Sequence, residues 1–147
     1  MKLNLGAGNV RLREGYVTLD ANAAHSPDIL ATVPPIPLPD ASCDTVFASH
    51  FLEHLDNDQV VELFREVWRV LELGGTFEAV VPYALSHGAF QDPTHKSFWV
   101  PERFLYHTPH FRELGYGLED RFRIAELNLN PDPRSGEVRA VLVKAED

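Results

Sequence analysis

Cysteine occurs once in these 147 residues, as Cys43. That excludes a disulfide framework and a four-thiolate zinc site, and it fits a reducing, cytoplasmic setting. Basic residues are also few: 13 Lys+Arg stand against 22 Asp+Glu, a formal charge of −9. An extended nucleic-acid surface needs clustered Lys and Arg, so none is expected. No apolar run approaches the roughly 20 residues of a membrane span. Met1-Lys2-Leu3-Asn4-Leu5 runs directly into Gly6, which leaves no room for a secretory apolar segment. Internal repeats and low-complexity tracts are absent. Histidine is what the chain does have. Of seven, six fall between His50 and His110.

A chain of this length buries about two-thirds of its unfolded surface around one core, so residues 1–147 are expected to form a single domain. Short apolar strands are predicted at 2–5, 16–19, 28–33, 43–48 and 76–81, alternating with helical or loop segments. The clearest helix is predicted over 58–71. There Val60, Phe64, Val67, Trp68 and Leu71 recur at helical spacing, and Glu62, Arg65, Glu66 and Arg69 take the other face. Asp56, three residues before Gln59, resembles a capping box, and Gly74-Gly75 is a plausible stop. Residues 33–39 carry four of the eleven prolines and read as an extended connector. Strands at 122–129 and 137–144, joined by a Pro/Asp/Gly-rich loop, read as an antiparallel hairpin. The expected architecture is a mainly parallel α/β sheet ending in an antiparallel hairpin. The aromatic, His-rich stretch 83–117 is too long for an ordinary connection, and lengths of that kind are usually functional.

In open α/β sheets, ligands bind beyond the carboxyl ends of the strands. Gly6-Ala7-Gly8 follows the first strand, where a missing Cβ admits a close backbone approach. Asp20 ends the second strand, where a carboxylate can accept both hydroxyls of a ribose. Ser49-His50 ends the fourth. Arg11 occupies the place of a third glycine, and Asp20 comes only twelve residues after Gly8. A nicotinamide-binding unit is therefore a poor fit.

Five segments in order, 2–8, 18–20, 37–46, 50–55 and 69–75, resemble the motifs of class I S-adenosylmethionine-dependent methyltransferases. The resemblance implies a Rossmann-like, doubly wound sheet and S-adenosylmethionine as cofactor. It implies that Gly6 and Gly8, with Ala7 between them, pass under the methionine part and that Asp20 holds the ribose. It further implies Thr32 and Val33 at the adenine and Ser49-His50 beside the sulfonium, with Asn4 at the amino acid end. Asn4 stands where many members have an acidic residue, and Thr32 where an Asp is common. The N-terminal helices that often cover the cofactor are also absent.

His50-Phe51-Leu52-Glu53-His54 reads H-x-x-E-H, and positions i, i+3 and i+4 of a helix share one face. Three readings compete: an inverted zinc-protease motif, a metal site within a methyltransferase, and a purely structural hydrogen-bonding role. Glu53-His54, followed by Asp92-Pro93-Thr94-His95-Lys96-Ser97-Phe98-Trp99, is similar to metal-dependent small-RNA terminal 2′-O-methyltransferases, and in part to ubiquinone-pathway O-methyltransferases. That similarity implies a divalent metal on His50, Glu53, His54 and His95, with His50 in place of a Glu. Three imidazoles and a carboxylate suit zinc, iron or manganese better than magnesium.

Methyl transfer needs an aligned acceptor and a base or metal to activate it. His50 or His95 is expected to serve, with Asp92 orienting His95 or the acceptor, and Phe90, Phe98, Trp99 and Phe104 walling the pocket. His87 is expected to line that pocket. His25 is expected on a surface loop, and His107 and His110 as packing or solvent groups. The expected activity is O- or N-methylation of a sugar, a small molecule or an RNA end, with 83–117 as the substrate-side insert. A site with so little cover suggests a large acceptor or a second subunit closing it. The alternatives are a non-catalytic cofactor- or partner-binding module on the same fold and, as the poorest fit, a metallohydrolase.

Overall fold

In a computed structural model, residues 1–8, 13–115, 118 and 120–146 are described. Arg11 and the end of the 83–117 stretch lie outside them. Seven strands form one sheet: β1 (Lys2–Leu5), β2 (Val17–Asp20), β3 (Ile29–Leu30), β4 (Cys43–Ser49), β5 (Leu71–Pro82), β6 (Phe122–Asn130) and β7 (Glu137–Lys144). Their order is β3-β2-β1-β4-β5-β7-β6. The first five run parallel, and β7 is antiparallel to both β5 and β6. The expected Rossmann-like mixed sheet is therefore present. Strand order reverses at β1, so the carboxyl ends of β1 and β4 open into the crevice where such sheets bind ligands.

Helix α1 (Asn57–Val70) starts as the sequence predicts. The Asp56 carboxylate accepts from the Gln59 N–H at 2.8 Å, and Gln59 Oε1 accepts from the Asp56 N–H at 3.0 Å. Its end differs from expectation. Leu71 turns extended (φ −73°, ψ 136°), and the chain enters β5 at once, so Gly74-Gly75 lies within the strand. Gly74 has φ +82°, and a Cβ on Gly75 would come within 2.8 Å of the Glu72 carbonyl. The glycines therefore bend a strand instead of stopping a helix.

The helix buries Val60, Leu63, Phe64, Val67 and Val70 against one face of the sheet. Phe64 is the hub. His107 stacks on it at 3.7 Å, Trp99 at 6.3 Å, and Phe77 and Phe122 meet it edge-on. Trp99 and Phe104, expected as pocket walls, are fully buried here because their size makes them worth most as core. His107 is also buried and bonds Asp120.

Arg69, read from the sequence as an outer-face charge, anchors the proline-rich connector. It donates to the Leu38 and Ile36 carbonyls and to Asp40, each at 2.8 Å, while Glu66 accepts from the Ile36 N–H. On the opposite face of the sheet lie Phe47, Glu78 and Arg139. There the Arg13 guanidinium lies 3.9 Å from the Phe47 ring centre, and Glu78 joins Arg13 to Arg139. Between β5 and β6 the described residues form three short helices, α2 (His87–Phe90), α3 (Glu102–Leu105) and α4 (Pro109–Glu113). No described helix is long and apolar enough to cross a membrane.

Candidate functional site

Glycine geometry shapes the end of β1. Gly6 and Gly8 adopt φ +61° and +62°, a region that L side chains enter only at a cost. The resulting loop turns its amides back on β2. Gly6 and Ala7 donate to the Leu19 carbonyl at 2.9 and 3.2 Å, and Gly8 donates to Asp20 Oδ2 at 2.9 Å. Asp20 Oδ1 accepts from the Asn22 N–H at 2.8 Å. Burial works to raise the Asp20 pKa, but the Asn22 and Gly8 amides and neighbouring His25 outweigh it. The carboxyl is held below its usual range and stays ionised. His25, expected on a surface loop, lies with Nδ1 3.1 Å from Asp20 Oδ1.

These groups open on a cavity of about 440 Å³. Gly6, Gly8, Asp20, Thr32, Val33 and His50, six of the residues expected around a cofactor, all line it. Asn4, Ala7 and Ser49 do not; Asn4 is 4 % exposed within β1. Phe51, Gln59 and Lys96 complete walls that the sequence pattern did not reveal.

A second cavity, of about 360 Å³, adjoins the first, and His50 and His54 line both. Its other walls come from the turn after β4 (Glu53), the α2 region (Gly88, Gln91, Asp92, His95) and the β6–β7 hairpin (Arg134 to Glu137). Phe90 and Phe98 stack on each other at 4.5 Å and stay exposed, so neither walls this cavity as expected. His87 is exposed and lies outside the lining, although its neighbour Gly88 belongs to it. His110 is exposed, matching the solvent role expected of it.

The H-x-x-E-H segment is not an α-helix. His50 sits at φ +53° with its N–H on the Val80 carbonyl, and Leu52–His54 form one turn of 3-10 helix. The zinc-protease reading, which needs that motif on a helix, has no structural basis. Glu53, His54 and His95 do come together, with one ligand atom from each within 4.8 Å of the others. Glu53 is 2 % exposed, and its buried Oε1 has no hydrogen-bond partner among the described residues.

Both imidazoles are oriented through Nδ1: His54 by the Thr94 hydroxyl at 3.0 Å, and His95 by the Ala89 carbonyl at 2.9 Å. Each keeps Nε2 for the cluster, with His95 Nε2 also 3.4 Å from Asp92. The hydroxyl and N–H of Thr94 hold Asp92 below the usual carboxylate range. His50 stands apart from this trio. Its Nε2 bonds Glu137 at 3.0 Å, and its Nδ1 lies 3.5 Å from Glu53. Glu53 first, then the charge of Glu137, raise its pKa against the effect of burial.

Residues 6–79, half of the chain, match the family described as a methyltransferase domain. The chain belongs to that family. No curated protein matches this methyltransferase domain. Among solved structures it is similar to an S-adenosylmethionine-dependent methyltransferase from Archaeoglobus fulgidus. The TM-score is 0.68 at 20 % identity, covering 97 % of this chain and 85 % of that one. A second such enzyme, from Methanosarcina mazei, aligns with a TM-score of 0.67 at 15 % identity over 99 % and 92 % of the two chains. At that identity the likeness establishes the methyltransferase fold, and family membership implies S-adenosylmethionine as cofactor. The cavity fits that group. A Cβ on Gly8 would stand in open space, and the ionised carboxylate of Asp20 lines the cavity, an acceptor of the kind that ribose hydroxyls need.

Proposed function

We propose that this domain transfers the methyl group of S-adenosylmethionine to a hydroxyl or amine seated in the second cavity. The observation that carries this reading is the shared wall. His50 and His54 line both cavities, so a donor in one and an acceptor in the other meet there. The sulfonium supplies an activated methyl: its carbon–sulfur bond breaks, the acceptor–carbon bond forms, and the sulfur leaves as a thioether. The chain's own task is alignment and removal of the acceptor's proton. Gly6, Gly8 and Asp20 hold the donor. Glu53, His54 and His95 face the acceptor and take its proton. His50, fixed by Glu137 and Glu53, holds the wall between the two cavities.

The Glu53–His54–His95 set also suits a divalent metal. Two imidazoles, each with its second nitrogen already engaged, and an unsatisfied buried carboxylate oxygen form a donor set matched to zinc, iron or manganese. His50 falls outside that set because Glu137 occupies it.

Calorimetric titration with S-adenosylhomocysteine tests the cofactor site. Binding that disappears in Asp20→Ala is expected, and an absence of binding by the wild-type protein defeats the enzyme reading. Zinc or manganese titration of the metal-stripped protein tests the second part. One site per chain is expected, lost in His95→Ala while S-adenosylhomocysteine still binds; a His95→Ala protein that binds metal as tightly removes the trio.

A further inference from the structure

We infer that the acceptor is a neutral, polyhydroxylated molecule, the end of a saccharide, in preference to an aromatic compound or a phosphate-bearing RNA end; this rests on the methyltransferase reading above. Three observations converge on it.

The first is the wall chemistry. Gln91 brings an amide, Arg134 a guanidinium, Ser135 a hydroxyl, and Glu53, Asp92 and Glu137 carboxylates. Such a mixture supplies donors and acceptors side by side. Adjacent sugar hydroxyls, each both donor and acceptor, satisfy it. Glu53 Oε1, buried without a donor among the described residues, can accept an N–H or O–H from a molecule that enters when no metal occupies it.

The second is what the walls lack. Among the described residues no Phe, Tyr or Trp lines this cavity. Trp99 and Phe104 are spent in the core, and Phe90 and Phe98 face each other. An aromatic acceptor would therefore find no ring to pack on and would strip water from polar groups without replacing their hydrogen bonds.

The third is charge. Three carboxylates, of Glu53, Asp92 and Glu137, line the cavity. Arg134 is the one Lys or Arg among the lining residues. Three carboxylates against one guanidinium make this lining formally acidic, in a chain of net charge −9. With no metal on the Glu53–His54–His95 set, a phosphodiester would meet more negative than positive charge here. The volume of about 360 Å³ lies at the low end for small-molecule sites, which suits one terminal sugar unit or a disaccharide.

Saturation-transfer NMR on the protein loaded with S-adenosylhomocysteine tests the inference with three ligand sets. The first holds neutral mono- and disaccharides with their methyl glycosides, the second catechol and caffeic acid, and the third adenosine monophosphate and a diribonucleotide. Saturation is expected in the saccharide set alone. It should fall to background in Gln91→Ala and in Arg134→Ala, with their affinity for S-adenosylhomocysteine unchanged. Silence across the saccharides, or saturation of the aromatic or nucleotide set instead, overturns the inference. The same spectra recorded without S-adenosylhomocysteine separate the two readings. Failure of that ligand to bind removes the methyltransferase reading, while saccharide saturation still reports on the cavity.

Discussion

Alanine at Gly6 and alanine at Gly8 provide a paired test of how the β1 loop is built. Both positions have nearly the same φ, +61° and +62°, so both substitutions meet the left-handed backbone penalty of about 1–2 kcal/mol. Loss of glycine's freedom in the unfolded chain returns about 0.4–1 kcal/mol of that in each case. Their surroundings differ. A Cβ on Gly6 would stand 2.3 Å from Phe51 Cδ2 and 3.0 Å from Phe51 Cβ, so the whole side chain must move. A Cβ on Gly8 would meet nothing within 4 Å, and Gly8 lines the first cavity, where the cofactor is proposed to sit.

Overpacking of this kind costs a further 1–3 kcal/mol or so. Gly6→Ala is therefore expected to be less stable than Gly8→Ala by about that amount in urea unfolding. Against a domain stability of about 5–15 kcal/mol, both variants fold. Binding should follow a different order from stability. Gly8→Ala is expected to lose about tenfold or more in affinity for S-adenosylhomocysteine, at a stability cost near 1 kcal/mol, since its methyl occupies ligand space. Equal unfolding midpoints for the two variants would refute the account of Phe51. An undiminished affinity in Gly8→Ala would refute the placement of the cofactor.

Arg69→Ala is expected to destabilise the protein by about 1.5–3 kcal/mol, reduced from the sum of its charge-assisted bonds because the side chain is part-exposed. Urea unfolding of Arg69→Ala and of Asp40→Ala checks this, since the exposed Asp40 bond alone should cost well under 1 kcal/mol; equal losses would contradict it. Asp20, depressed below the ordinary carboxylate value of about 3.9, contributes stability that is fully present above that pH and lost as pH falls through its folded pKa. Carboxyl NMR should place its midpoint below about 3.9, moving up in a His25→Ala variant; a midpoint above that value contradicts the assignment.

Much of the fold was legible because its signals are local. Gly6 and Gly8 punctuate β1, Asp56 and Gln59 cap α1, and Val138, Ala140 and Leu142 alternate on β7 as a half-buried strand requires. Most residues of the first cavity that the sequence singled out sit at strand ends, which is why they could be named. The hairpin walls of the second cavity could not. Glu137 meets His50 across 87 positions, and only the pairing of β5 with β7 brings it there. The aromatic residues misled because pocket walls and core fillers share one composition, and tertiary packing around Phe64 alone decides between them. The H-x-x-E-H spacing suggested a helical face, yet a left-handed His50 and a single 3-10 turn still deliver Glu53 and His54 to one place.

The hairpin between β6 and β7 does more than finish the sheet. Its register places Glu137 opposite Pro82 and Asn130, and successive β7 residues point to opposite faces. A slip of one residue would bring Val138 to the cavity and drive a charge into the core. The buried alternation of β7 thus acts as a ruler that sets which of its side chains line the second cavity. Beyond that ruler, residues 131–136 form a short exchangeable cassette, far in sequence from the glycine loop and Asp20. Rewriting this turn would change the walls of the second cavity and leave the β1 loop and Asp20 intact.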